Sequence, residues 1–156
     1  MEQNGRKWGI IMLMGEYHHS IDDKNRLIIP SKLREELGSE FVVTRGLDKC
    51  LFVYPMKEWE KIVNNLSTLP FTKKDARDFS RFFLSGATVS VFDKQGRINI
   101  TSPLVNYANL TKECVIIGVN ERLEIWDIDE FNSFMNKNID NFSEIAENLF
   151  EGGYNA

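Results

Sequence analysis

Two stretches of the chain read alike: apolar alternation, a charged turn, apolar alternation again, then a short amphipathic helix. In residues 87–91, Val89 and Val91 fall on one face, the pattern of a half-buried strand. Asp93, Lys94, Gln95 and Gly96 supply a turn. Residues 97–101 then alternate, with Ile98 and Ile100 inward and Arg97 on the solvated side. Ser102 and Pro103 read as the N-cap and first position of a short helix. In the earlier stretch, the matching helix starts near Ser31, places Leu33 and Leu37 on one face and stops at Gly38. Two strands are predicted after each helix, over 41–44 and 50–54, then over 114–119 and 123–126. A helix closes each unit, carrying Trp59, Ile62, Val63 and Leu66 in one and Phe131, Phe134 and Met135 in the other.

Sliding the sequence against itself by 71 residues sets Gly15 on Gly86, Asp22 on Asp93, Arg26 on Arg97, Leu27 on Ile98, Ile29 on Ile100 and Ser31 on Ser102. Further on, a shift of 72 sets Gly46 on Gly118, Leu51 on Leu123, Val53 on Ile125, Tyr54 on Trp126 and Trp59 on Phe131. The chain is therefore a duplication. Its expected divisions are an N-terminal extension (1–13), a first repeat (14–61), a connector with a helix (62–84), a second repeat (85–135) and a C-terminal helix and tail (136–156). A unit of about 50 residues supplies too little core to stand alone, so the two must pack together, interleaving strands into one closed barrel. The fold class is α+β, mainly β, pseudo-symmetric, with flanking helices. The connector helix takes Thr72 as N-cap, Phe79, Phe82 and Phe83 as apolar stripe, and Lys73, Lys74, Arg77 and Arg81 as basic face. A last helix runs over 143–150 and ends at Gly152 and Gly153.

Composition narrows the classes. With 42% hydrophobic and 27% charged residues in 156, the chain is of globular type, neither disordered nor collagen-like. The longest apolar run, residues 8–14, is too short to span a bilayer, and no small-residue cleavage site follows it, so a cytoplasmic protein without a membrane partner is expected. Cys50 and Cys114 are then reduced thiols in strands. The net charge of −4 hides an asymmetry: residues 1–110 carry 16 basic and 13 acidic side chains, residues 111–156 carry 3 and 10. The front of the chain is either a solvated face or one that meets an anion.

Catalytic signatures are missing from the sequence. There is no Cys-x-x-Cys, no H-E-x-x-H, no phosphate-binding glycine loop and no nucleophile elbow, so neither an enzyme nor a cofactor is expected. His18 and His19 precede Asp22 and Asp23, but adjacent residues on a strand face opposite ways, and the second unit has Val89 and Ser90 there; no metal site is expected. What the duplication does repeat is Asp, three residues, Arg. An arginine on a rigid turn can donate two hydrogen bonds to guanine O6 and N7 or clamp a phosphate, with the aspartate fixing its guanidinium. The plainer alternative is that each pair only closes its own turn. Lys24 and Lys94 add phosphate attraction.

The segment MGEYHHSIDDKNRLIIPSKLREELG (14–38), with its partner SGATVSVFDKQGRINI (85–100), closely resembles the MraZ family over about residues 12–140. That family is similar to the AbrB-type swapped-hairpin barrel DNA binders, with two half-units fused in one chain. The resemblance implies a nucleoid-associated transcriptional regulator of the bacterial division and cell-wall gene cluster. It also implies a ring of identical subunits whose turns meet short G-rich direct repeats in double-stranded promoter DNA. Carried over by position, the DNA-binding residues are Asp22, Lys24, Arg26, Asp93, Lys94 and Arg97. Asn25 stands where the family usually has Gly, as the second unit does at Gly96; asparagine tolerates a left-handed conformation, so the first turn is expected to survive. The alternative reading is a ring that docks another cytoplasmic protein. Pairing with a toxin, as in some smaller AbrB-like proteins, is not expected, because no disordered toxin-wrapping tail is evident.

Overall fold

The computed structural model describes residues 12–150. Most of the N-terminal extension and the glycine pair proposed to end the last helix lie outside the described residues. The first repeat forms β1 (Leu13–Ser20), β2 (Arg26–Ile28), α1 (Ser31–Leu37), β3 (Phe41–Arg45), β4 (Leu51–Pro55) and α2 (Met56–Ser67). After the connector helix α3 (Lys74–Ser85), the second repeat forms β5 (Thr88–Ser90), β6 (Arg97–Asn99), α4 (Ser102–Tyr107), β7 (Glu113–Asn120), β8 (Leu123–Asp127) and α5 (Ile128–Asn138). A last helix, α6, spans Phe142–Phe150. The two repeats thus give the same elements in the same order. β1 begins at Leu13, inside the stretch set apart as an extension, and Leu13 is buried in the core.

The repeats interleave. A six-stranded sheet runs β1-β7-β8-β4-β3-β5, all neighbours antiparallel, so the first strand of each repeat pairs with the third strand of the other. β4 and β8 meet at the centre, Leu51 opposite Ile125. β2 and β6 form a separate ribbon with Arg26 opposite Asn99, Leu27 opposite Ile98 and Ile28 opposite Arg97. Inward residues of the ribbon (Leu27, Ile98) join Leu51, Val53, Leu123 and Ile125 of the sheet and Leu33 and Leu104 of the short helices in one core. The other face of β4 and β8 presents Phe52, Tyr54 and Trp126 to a second cluster made by α2, α3 and α5. These strands are buried along their whole length, which explains the uninterrupted apolar run of β4; the carboxylates that interrupt β8, Glu124 and Asp127, are buried with hydrogen-bond partners in Arg122 and Thr111.

Four expectations shift. Val89 and Val91 point outward, each 59% exposed. β5 is only three residues long and ends the sheet, so the register set by Phe41 opposite Ser90, and the packing of Phe92 on Phe41, decide which face turns in. α3 starts at Lys74 with Lys73, not Thr72, as N-cap, because the Lys73 N–H is taken by the Pro70 carbonyl in a preceding turn. α4 is capped by Thr101, whose carbonyl accepts from the Val105 N–H, so Pro103 falls one position later than expected. Cys114 lies within β7, whereas Cys50 immediately precedes β4. Both thiols are buried, and burial pushes each up to about 12.

Candidate nucleic-acid interface

The site rests on the two turns that enter the ribbon. In the first, the Asp22 N–H donates to the Arg26 carbonyl (2.9 Å) and the Asn25 N–H to the Asp22 carbonyl (2.9 Å). Asp22 Oδ1 accepts from the Lys24 N–H (2.9 Å) and the Arg26 N–H (2.8 Å), while Oδ2 accepts from Arg26 Nε (2.7 Å). The second turn repeats this bond for bond. Asp93 N–H donates to the Arg97 carbonyl (2.9 Å) and Gly96 N–H to the Asp93 carbonyl (3.0 Å). Asp93 Oδ1 accepts from Gln95 N–H and Arg97 N–H (both 2.9 Å), and Oδ2 from Arg97 Nε (2.7 Å). Both carboxyls sit below their ordinary range, first because of the arginine backbone N–H, then because of the guanidinium.

The aspartate therefore does two things: it closes the turn and fixes the arginine by its Nε edge. Alternation along the ribbon buries Leu27 and Ile98 and puts Arg26, Ile28, Arg97 and Asn99 on its outer face. The turns are tied to each other. Ile29 N–H donates to the Gly96 carbonyl (3.0 Å), Ile100 N–H to the Asn25 carbonyl (2.8 Å), and Asn99 Nδ2 to the Lys24 carbonyl (3.1 Å). Arg97 Nη1 also lies 3.8 Å from Asp22 Oδ2. The two arginines, both half-buried, thus belong to one hydrogen-bonded outer face of the ribbon.

Asn25 and Gly96 hold equivalent left-handed conformations, φ +61° and +77°. The first turn survives its asparagine. Gly96 has a further constraint: a Cβ there would overlap the guanidinium of Arg34, which reaches from α1 to donate to the Ile29 carbonyl (2.5 Å). The position of Arg34 is taken in α4 by Val105, which has no such group. Gly96→Asn should therefore cost about 1–2 kcal/mol despite asparagine's tolerance of positive φ, whereas Asn25→Gly should stay within about 0.5 kcal/mol of wild type. Urea unfolding of both variants checks this, and adding Arg34→Val to Gly96→Asn should recover most of the loss.

The lysines are less alike than the arginines. Lys24 holds the position of Gln95, and Lys94 that of Asp23, so each turn carries its exposed lysine at a different step. Gln95 Oε1 accepts from Arg97 Nη2 (3.0 Å), an extra brace on the second arginine. Sequence reasoning missed three contributors. Arg34 lies against Gly96 of the second turn; Lys112, whose carbonyl accepts from Ile21 N–H (2.8 Å), lines a polar concavity of about 650 Å³ with Lys24 and Arg26; Asn99 shares the arginines' face. Only Asn99 was signalled, by period-two alternation after Arg97.

Among the described residues, no three of His, Cys, Asp and Glu gather as metal ligands; His18 pairs with Glu16 on β1 (2.8 Å). No described helix is long and apolar enough to cross a membrane. The basic residues of α3 are partly spent within the helix, Lys74 and Arg81 both pairing with Asp78.

The duplication seen in the strand exchange and in the paired turns has a counterpart among known sequences. The profile of one family, described as "MraZ protein, putative antitoxin-like", matches this chain twice in tandem, over residues 12–82 and 83–152. Together the two matches cover nearly the whole sequence, and the chain belongs to the MraZ family.

Proposed function

We propose that this protein is a sequence-specific DNA-binding transcriptional regulator of the division and cell-wall gene cluster. In this reading Arg26 and Arg97 read guanines in short G-rich direct repeats. Asp22 and Asp93 hold the two guanidinia, and Lys24 and Lys94 approach the phosphate backbone. What carries the reading is the bond-for-bond identity of two solvent-facing turns, each gripping its arginine by Nε. A turn needed only to close a ribbon has no reason to keep the same guanidinium geometry in two copies whose other positions have diverged, as Lys24 and Gln95 have. The chain assembles as a ring of identical subunits, so tandem repeats meet several readers at once and modest single contacts multiply. Its net charge of −4 keeps nonspecific binding weak and strongly salt-dependent.

The test is the affinity of labelled duplexes with tandem G-rich repeats and with the same bases scrambled, measured from pH 8 to pH 5. A preference for the repeats is expected at every pH. The sign follows from the aspartates: a carboxyl held below its ordinary range stays ionised as pH falls and releases its arginine only when pH drops through that lowered value. Equal, weak binding to both duplexes would return the turns to a purely structural role and favour the alternative of a ring that docks a protein partner.

A further inference from the structure

Equivalent positions on the outer face of the ribbon are not filled alike. The pseudo-symmetry of the chain passes through the buried pair Leu27 and Ile98, and it exchanges Arg26 with Arg97 and Ile28 with Asn99. Directly opposed side chains of an antiparallel pair share a face. Arg26 therefore stands across from Asn99, and Arg97 across from Ile28. The arginines themselves are held identically, each by Nε on its aspartate (2.7 Å). Their neighbours across the ribbon differ in kind. Ile28 is 39% exposed, a branched apolar side chain on a face whose other members are Arg26, Arg97 and Asn99. Asn99 is exposed as well, and its amide has a fixed sense. A carbonyl can only accept, so the bond to the Lys24 carbonyl (3.1 Å) uses an Nδ2 hydrogen and leaves Oδ1 as an acceptor.

A ribbon with exact two-fold symmetry would hold a short duplex site equally well in either orientation, because turning the site end for end exchanges identical readers. Direct repeats all run one way, and the pairs Arg26 with Asn99 and Arg97 with Ile28 supply the missing difference. We propose that Ile28 and Asn99 are specificity-determining residues that give the ribbon its direction on DNA. Ile28 packs on the C5-methyl of a thymine next to the guanine read by Arg97. Asn99 Oδ1 accepts from an exocyclic amino group, N6 of adenine or N4 of cytosine, next to the guanine read by Arg26. Both features lie on the major-groove edge. Neither residue serves the other's base: thymine would set its O4 acceptor against Asn99 Oδ1, and an amino group against Ile28 would lose its water with no partner in return. The inference rests on the guanine reading of the two arginines and adds the residues that make it directional.

The test varies the bases beside the guanines. Wild type, Ile28→Ala, Asn99→Ala and Asn99→Ile are titrated with labelled tandem G-rich duplexes in which each base pair flanking the guanines is set in turn to all four possibilities. The favoured thymine is also replaced by uracil, which lacks only the methyl group. Wild type should favour thymine at one flanking position and lose about fourfold with uracil there, whereas Ile28→Ala should bind the two alike. At another flanking position wild type should favour adenine or cytosine by about fivefold, and Asn99→Ala should be indifferent. Asn99→Ile should turn that second preference to thymine, a gain that only a folded ribbon can show. Variants that keep the wild-type flanking profile, or a wild type indifferent to the flanking bases while still preferring the guanines, would overturn the assignment of Ile28 and Asn99 and leave the arginines as readers. A wild type with no preference for the guanine repeats would overturn the arginine reading and this inference with it.

Discussion

Phe41→Ala should destabilise the protein by about 3–5 kcal/mol. Phe41 is fully buried and lies where the repeats interlock: it faces Pro55 of its own repeat in β4 and Ser90 of the other in β5. Its ring packs on Phe92 at 4.6 Å, immediately before the second turn. Truncation leaves a cavity between strands of different repeats and loosens the three-residue β5, which pairs in the sheet with β3 alone. At about 2–4 °C per kcal/mol for a chain of this size, the melting midpoint should fall by roughly 6–20 °C at fixed protein concentration. Phe71→Ala is the control: Phe71 is 80% exposed, and its loss should change the midpoint of the isolated chain by no more than a surface substitution does. A loss of under about 1 kcal/mol for Phe41→Ala would mean that the interlock does not depend on this ring.

Replacing both arginines of the proposed reading surface, Arg26→Ala with Arg97→Ala, should abolish the preference for G-rich repeats while leaving the fold and assembly unchanged. A bidentate arginine–guanine pair discriminates by about 1–3 kcal/mol, so losing two per chain corresponds to roughly 30-fold or more, before multivalency enlarges it. The fold is spared because the backbone N–H groups of Lys24, Arg26, Gln95 and Arg97 still satisfy the aspartate Oδ1 atoms and keep both turns closed. Arg26→Lys with Arg97→Lys separates charge from geometry. Lysine keeps the positive charge but has no planar fork, so this variant should retain the salt dependence of wild type and lose most of its preference. An alanine double variant with undiminished preference would remove the arginines from the interface.

How legible all this was in the sequence depended on how local the deciding forces are. β3, β4, β7 and β8 were readable because they are the four inner strands of the sheet, where most of their side chains are covered on both faces and the phase of alternation matters little. The turns were readable because their geometry is internal: Asp22 and Asp93 bond to residues two and four positions on, and Asn25 and Gly96 supply the positive φ. Val89 and Val91 were misread because a three-residue strand takes its facing from its partner β3, many residues away. The connector's apolar stripe found its cover only in the fold: Phe83 is buried, and Phe79 and Phe82 are partly buried, because α3 folds back onto the outer face of β4. Thr44 and Arg45 hold the end of that helix by bonds to the Phe83 and Phe82 carbonyls (2.7 and 2.6 Å). Arg34 and Lys112 went unseen for the same reason: they reach the turns from α1 and from the loop before β7, and nothing in their local sequence points to a turn. The residues of the two turns could be named in advance; Arg34 and Lys112 could not.

The central claim is that Arg26 and Arg97 donate to the major-groove edge of guanine, and the most direct measurement alters the acceptor rather than the protein. In duplexes whose repeat guanines are replaced by 7-deazaguanine, the N7 acceptor is gone while base pairing is kept. Wild type should then bind the substituted repeats no better than scrambled DNA, and the Arg26→Ala/Arg97→Ala variant should not distinguish natural from substituted repeats at all. Undiminished binding of wild type to the 7-deazaguanine repeats would contradict the assignment, since the arginines would then not be reading guanine N7.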